Sequence, residues 1–239
     1  MLKHPEKLIN NTVLNFLYLH GFASSPASRK AKFFQGKIEG ESWRYIAPDL
    51  NVPTFEQLSM ASQIELAQAS AGQFGPGPLI LVGSSMGGLL AALLEGKIAN
   101  VAALILLAPG FGITRRWPQI IGGEGMDAWQ ETGARQFFHY GANAEKALHF
   151  TFTHELQKIQ TENFQVNTPT IVFHGVNDET VPLEHSKVFA AANEKLVELV
   201  QLNDNHELAQ ALDQIWHDSM TFLQKHNIAP RTASDTSHR

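Results

Sequence analysis

The chain of 239 residues contains no cysteine. Disulfides, thiolate metal sites and a cysteine nucleophile are excluded together, and the absence fits a reducing compartment, so a cytoplasmic protein is expected. Charge is also scarce. Only 17% of residues are charged, with 18 Lys and Arg against 23 Asp and Glu. The resulting formal charge of −5 leaves no cationic surplus to hold a polyphosphate backbone, so nucleic acid is not an expected partner.

Long hydrophobic runs are missing too. The longest, Val101 to Ala108 and Leu89 to Leu94, fall far short of the roughly 20 residues that span a bilayer, so no membrane association is expected. Lys3 and Lys7 before Val13 to Leu19 and Ala23-Ser24-Ser25 imitate a secretory leader, but that apolar stretch is short and interrupted by Asn15.

What is present is enough for one large core, since 44% of the residues are hydrophobic. A single domain over residues 1–228 is expected, followed by a Ser/Thr/Pro-containing tail from Ala229 onward that has nothing to bury. Apolar runs without alternation recur at Leu14 to Leu19, Leu79 to Val82, Ala103 to Leu107, Thr170 to Phe173 and Leu196 to Leu202, with a weaker one at Trp43 to Ala47. Such runs predict strands buried on both faces. Segments of helical period separate them: Ser28 to Lys37, Thr54 to Ala71, Met86 to Glu95, Glu184 to Lys195 and Glu207 to Leu223. The alternation predicts an α/β fold, a doubly wound and mostly parallel sheet with its ligand site at the carboxyl ends of the strands.

Residues 110–166 break this rhythm. They carry no evident strand, and two helices are expected near Met126 to Tyr140 and Ala142 to Gln160. The length exceeds what a crossover needs, so the segment reads as a helical cap inserted over the site, with a long crossover and surface excursion as the alternative.

Chemistry concentrates at Gly83-Ser84-Ser85-Met86-Gly87, directly after a predicted strand and before a predicted helix. This G-x-S-x-G pattern needs very small residues two places before and after the serine, because strand and helix close tightly on each other. Ser85 satisfies that rule with Gly83 and Gly87, whereas Ser84 would face Val82 and Met86. Ser85 is the candidate nucleophile. A serine hydroxyl needs a base, and the base needs an orienting acid. His206 follows the last predicted strand, and Asp178 follows the strand Thr170 to Phe173, so both lie at carboxyl ends. Asp204 and Glu179 are weaker rivals for the acid.

The backbone N–H of Met86 and that of Phe22 or Ala23 are the candidate oxyanion donors. His20 and Gly21 precede them on the loop that closes the first strong strand and are expected beside the substrate, as are Phe137 and Phe138 from the inserted segment. No metal is expected, since His139, His149 and His154 lack the i, i+4 pairing of a helical ligand set, and no cofactor is expected because a serine, histidine and acid suffice for acyl transfer. Asp49 reads as a turn residue. Arg115-Arg116-Trp117 reads as a solvated charge pair beside a packed tryptophan, contact with an anionic substrate group being the alternative.

At these residues the chain resembles the α/β-hydrolase superfamily. The resemblance rests on Leu17-Tyr18-Leu19-His20-Gly21-Phe22, Gly83-Ser84-Ser85-Met86-Gly87, His174-Gly175-Val176-Asn177-Asp178 and Asn205-His206-Glu207. His20 to Pro26 with Ser28 and Lys30 looks like the opening of small bacterial esterases of the YqiA/YcfP type. The resemblance implies an acyl-enzyme route to hydrolysis of a small-molecule ester or thioester. A peptidase, a carbon–carbon hydrolase, a perhydrolase or a non-catalytic binding protein on the same fold remain as other readings, and the oligomeric state is left open.

Overall fold

The computed structural model describes residues 13–159 and 163–230. Six strands form one parallel sheet: β1 (Asn15–Leu19), β2 (Arg44–Ile46), β3 (Leu79–Ser84), β4 (Val101–Leu107), β7 (Thr170–Gly175) and β8 (Val197–Leu202). Their spatial order is β2-β1-β3-β4-β7-β8. The remaining strands, β5 (Ala134–His139) and β6 (Ala144–His149), pair antiparallel as a separate hairpin.

Both faces of the sheet are covered, which is why its strands show no alternation. On β1, Leu17 and Leu19 pack on one side while Phe16 and Tyr18 pack on the other. The first face carries α2 (Met60–Ala71), α3 (Met86–Leu94) and α7 (Leu183–Ala192). The opposite face carries α1 (Arg29–Gly40) and α8 (Leu212–Lys225) through Phe34, Ile38, Ile215 and Phe222.

This arrangement places the site. The chain leaves β1 toward β2 over one face through α1, and leaves β3 toward β4 over the other through α3. The connections diverge between β1 and β3 and open a crevice at their carboxyl ends. Gly21 to Ala23 and Ser85 border it.

Two predicted helices begin later than expected. Ser59 Oγ accepts the Ser62 N–H at 3.3 Å and so starts α2 at Met60, rather than at Thr54. Asp204 Oδ2 accepts the N–H groups of Gln210 and Ala211 at 2.9 and 3.2 Å, and Leu208 has φ of 51°, so Glu207 to Ala211 forms an irregular turn before α8. Lys3 and Lys7, which imitate a leader in the sequence, lie outside the described residues. Of the expected tail, Ala229 and Pro230 are held against α8, Ala229 being only 6% exposed. Residues 231–239 lie outside the described residues.

The segment 110–166 differs most from expectation. It contains α4 (Ile113–Ile121), α5 (Gly123–Thr132), the β5–β6 hairpin and α6 (Thr151–Gln157). The helix expected over Met126 to Tyr140 stops at Thr132, because Gly133 turns the chain with φ of 73°. The helix expected over Ala142 to Gln160 is replaced by β6 and the short α6. Gly141-Ala142-Asn143 forms the hairpin turn, with Asn143 at φ of 51°, a conformation asparagine tolerates better than most residues.

Phe34 joins the layers on one side of the sheet. It is fully buried and its ring lies 5.9 Å from Tyr18 of β1 and 6.0 Å from Trp216 of α8. Phe34→Ala should lower the unfolding free energy by about 3–5 kcal/mol, as for other large core deletions. Urea denaturation with an unchanged m value would check this; a loss below about 1 kcal/mol would mean the core closes over the gap.

Candidate active site

Ser85 stands between β3 and α3 with φ of 53° and ψ of −118°. For a non-glycine residue this is strained backbone, held by its surroundings. The Ser85 N–H donates to the Leu107 carbonyl at 2.9 Å, and its own carbonyl accepts from Gly88 and Gly110, each at 2.8 Å. The flanking glycines are required by close approach. A Cβ on Gly83 would stand 2.7 Å from the Gly88 Cα, and one on Gly87 would run into the Leu19 carbonyl.

The hydroxyl thus presented lies 3.0 Å from His206 Nε2, and His206 Nδ1 lies 2.8 Å from Asp178 Oδ2. With Nδ1–H donating to the carboxylate, Nε2 keeps a lone pair for the Ser85 hydroxyl proton. Ser85, Asp178 and His206 therefore come together, although they are far apart in sequence. Asp204 does not join them. Its Oδ1 accepts the Asn205 N–H at 2.8 Å, and with Oδ2 on Gln210 and Ala211 it shapes the loop that carries His206. Glu179 is exposed.

The Asp178 side chain is wholly buried. Burial by itself would raise its carboxyl, but hydrogen bonds from His174 and His206, with the Val181 N–H, outweigh this and hold it well below the usual carboxylate range. The Thr180 and Val181 N–H groups reach Oδ1 at 2.8 and 2.7 Å. His174, fully buried, was not singled out as a site residue in the sequence. Its Nε2 lies 2.9 Å from the Val181 carbonyl and 3.1 Å from Asp178 Oδ2, while Nδ1 lies 2.8 Å from Ser186 Oγ. Its position four residues before Asp178, at the end of an apolar run, was the available signal. Lys30 was quoted only as part of a motif. Its Nζ reaches across from α1 to the Glu207 carbonyl at 3.0 Å, bracing the His206 loop.

The candidate oxyanion donors Met86, Phe22 and Ala23 have N–H groups that make no hydrogen bond among the described residues. Met86 is the first residue of α3, where an N–H has no intrahelical partner and the helix dipole favours negative charge. Ala23 has φ of 53°, and its carbonyl accepts the Tyr140 N–H at 2.8 Å, tying this loop to the hairpin. Gly21 borders the nucleophile: a Cβ there would lie 3.2 Å from the Ser85 Cβ.

His20 is not where substrate contact was expected. It is 2% exposed, and both ring nitrogens are spent: Nδ1–H donates to the Gly21 carbonyl at 2.9 Å, and Nε2 accepts the Leu50 N–H at 2.9 Å. It joins the loop after β1 to the loop after β2. There Asp49 Oδ1 accepts the Asn51 N–H at 3.1 Å, the turn role expected of it. Phe137 and Phe138 also separate. Phe137 packs 5.4 Å from Phe22 and 5.5 Å from Trp117, whereas Phe138 is 43% exposed and touches Tyr140 on the outer face. Neighbouring residues of a strand point to opposite faces, so only one of the two can face inward. His139 and His149 sit at opposite ends of the hairpin.

A family model matches residues 15–223, nearly the whole described chain. The chain belongs to the uncharacterised protein family UPF0227. No curated protein matches it significantly. Among solved structures, a candidate hydrolase from Agrobacterium vitis S4 superposes with a TM-score of 0.77 at 20% identity, covering 88% of each chain. Est1E from Butyrivibrio proteoclasticus, with ferulic acid bound, gives 0.74 at 20% identity over 95% of this chain and 94% of its own. Mouse α/β hydrolase domain-containing protein 10 gives 0.72 at 19% identity over 88% and 89%. These similarities establish the α/β-hydrolase fold.

Replacing Asp178 by Asn tests the electrostatics. The folded carboxyl lies below its unfolded value, so its stabilisation is present above the ordinary carboxylate range and lost as pH falls through and below it. Asp178→Asn should therefore melt with a flatter acid limb in a Tm-against-pH profile. Any Ser85-dependent turnover should drop by about 10⁴, as when a triad acid is replaced by its amide. An acid limb as steep as the wild type's would refute the assignment of that charge.

Proposed function

We propose that the protein is a serine hydrolase that cleaves a carboxylic ester or thioester of a small molecule through an acyl-enzyme. The observation that carries this reading is the relay of Ser85, His206 and Asp178 at 3.0 and 2.8 Å, on a serine held at positive φ. His206 takes the hydroxyl proton as Ser85 attacks the carbonyl carbon, and the N–H groups of Met86 and of Phe22 or Ala23 receive the oxyanion. The His206 proton then passes to the leaving alcohol or thiol. Water, deprotonated by the same ring, attacks the acyl carbon; His206 returns the proton to Ser85 and the carboxylic acid departs. Asp178 remains a carboxylate throughout and steadies the imidazolium.

The inserted segment 110–166 serves as a cap in this reading. Phe22, Trp117, Trp129 and Phe137 form a contiguous aromatic cluster beside the loop after β1, and such a wall suits an apolar acyl group. Its composition differs from the helical cap expected from sequence, since a hairpin supplies Phe137. One structural neighbour, Pf2001 from Pyrococcus furiosus, is named an esterase, which supports the choice of an ester bond. Among the described residues no helix is long and apolar enough to cross a membrane.

A fluorophosphonate probe should label the wild-type protein at Ser85, and Ser85→Ala should lose both labelling and hydrolysis of p-nitrophenyl esters while remaining folded. Ser84→Ala should keep both. A protein that neither takes the probe nor turns over any ester or acyl-CoA would be a binding protein on this fold instead.

For the wall, Phe137→Ala should change the ratio of kcat/KM between short and medium acyl p-nitrophenyl esters by about threefold or more, roughly the worth of one buried methylene. Phe138→Ala should leave that ratio alone. Equal behaviour of the two variants, both folded by circular dichroism, would remove the hairpin from the acyl site.

A further inference from the structure

One buried charge has no use in the steps above. Arg116 is 6% exposed, not the solvated residue its sequence setting implied. It shares the inward face of α4 with Ile113 and Trp117, three residues before and one after it. Trp117 packs edge-on to Phe22 at 5.5 Å, and Phe22 follows Gly21, which borders Ser85. The helix itself starts shortly after Gly110, whose N–H donates to the Ser85 carbonyl. This face of α4 thus looks toward the carboxyl end of β3.

The Arg116 guanidinium makes no hydrogen bond or ion pair with any described residue. Burial lowers its hold on its proton and the negative charge of Asp178 opposes this, so the two groups feel each other. Asp178 cannot serve as its partner, because both carboxylate oxygens are taken by His206, His174, Thr180 and Val181. A guanidinium stays protonated in proteins, and a buried cation without an anion is costly. Lys30, the other buried cation among the described residues, illustrates the rule through Glu207. The Arg116 nitrogens are not among the fully buried polar atoms that lack a partner, so the guanidinium keeps a solvent-reached edge that an anion can take.

We propose that the missing partner of Arg116 arrives with the substrate: the enzyme acts on an ester or thioester that also carries a free carboxylate. The inference rests on the serine-hydrolase reading. A carboxylate fits better than a phosphate, because one planar guanidinium matches one carboxylate in charge and in its two parallel hydrogen bonds. A phosphate dianion would leave a second charge that Lys30, already engaged, cannot meet.

Two pairs of esters test this with the full chain. One pair places the charge on the acyl side, p-nitrophenyl hydrogen adipate against its methyl ester. The other places it on the leaving group, 4-acetoxybenzoate against methyl 4-acetoxybenzoate. The wild type should favour the free acid of at least one pair by about tenfold or more in kcat/KM, the usual worth of a charged hydrogen bond. Arg116→Met should bring that ratio to about one, and Arg116→Lys should restore part of it. A wild-type ratio near one in both pairs, or a preference that survives in Arg116→Met, overturns the proposal. If Arg116→Met does not fold, the wild-type ratios and competition by free adipate against a neutral ester decide.

Fluorophosphonate labelling of the same preparations keeps the two readings apart. Should labelling and turnover both be absent, calorimetric titration of Ser85→Ala and Ser85→Ala/Arg116→Met with hydrogen adipate monomethyl ester still reads the anion site. Heat of binding lost with Arg116 supports the site while the hydrolase assignment falls; no binding by either protein rejects both.

Discussion

Everything at the carboxyl end of the sheet depends on how closely α3 approaches β3 and β1. Gly83 and Gly87 let helix and strand backbones meet at distances that a side chain would forbid, Gly88 leaves room for Pro109 after β4, and that contact holds Ser85 at positive φ. The cost of the strained residue is spread over four hydrogen bonds of its own peptide groups, its N–H donating to Leu107 and its carbonyl accepting from Gly88, Leu89 and Gly110. The first N–H of the helix is left bare by the same geometry. One steric constraint therefore presents a hydroxyl and an anion-seeking amide side by side.

Around that fixed point the loops are arranged by polar contacts rather than by packing. Asp178 is gathered in by two histidines and two backbone N–H groups, and Asp204 folds its own loop so that His206 faces back toward β3. Lys30 reaches that loop from α1 on the far face of the sheet. Loops held this way are ordered without being part of the apolar core, so side chains on them can change while the sheet keeps its register.

The parts legible in the sequence were those governed by local chemistry. Buried parallel strands announce themselves as unbroken apolar runs, and the spacing of Gly83 and Gly87 singles out Ser85 over Ser84. Positions after strands led to Asp178 and His206, because a parallel sheet delivers every such loop to one end. The inserted segment was less legible. Phe137, Phe138 and Tyr140 suit a strand as well as a helix, and the evidence for a hairpin lay in Gly133 and in Gly141-Ala142-Asn143, short turn signals on either side. His20 was misread because its partners, the Gly21 carbonyl and the Leu50 N–H, are backbone groups that no side-chain pattern reveals. Arg116 was misread for a related reason: whether a charge is solvated depends on tertiary packing, and of its two sequence neighbours Arg115 is exposed while Trp117 is buried.

The bond from the Tyr140 N–H to the Ala23 carbonyl joins the tip of the β5–β6 hairpin to the loop that follows β1. Glu155 of α6 adds a second anchor, accepting from Ser59 Oγ at 3.0 Å and from the Met60 N–H at 2.8 Å at the head of α2. A segment pinned at both of these points behaves less like a door than like the second jaw of a vise. If the segment caps the proposed acyl site, widening the gap means pulling on the Ala23 peptide group of the loop beside Ser85, so substrate preference would change by recarving the jaw's inner surface, not by loosening its hinge.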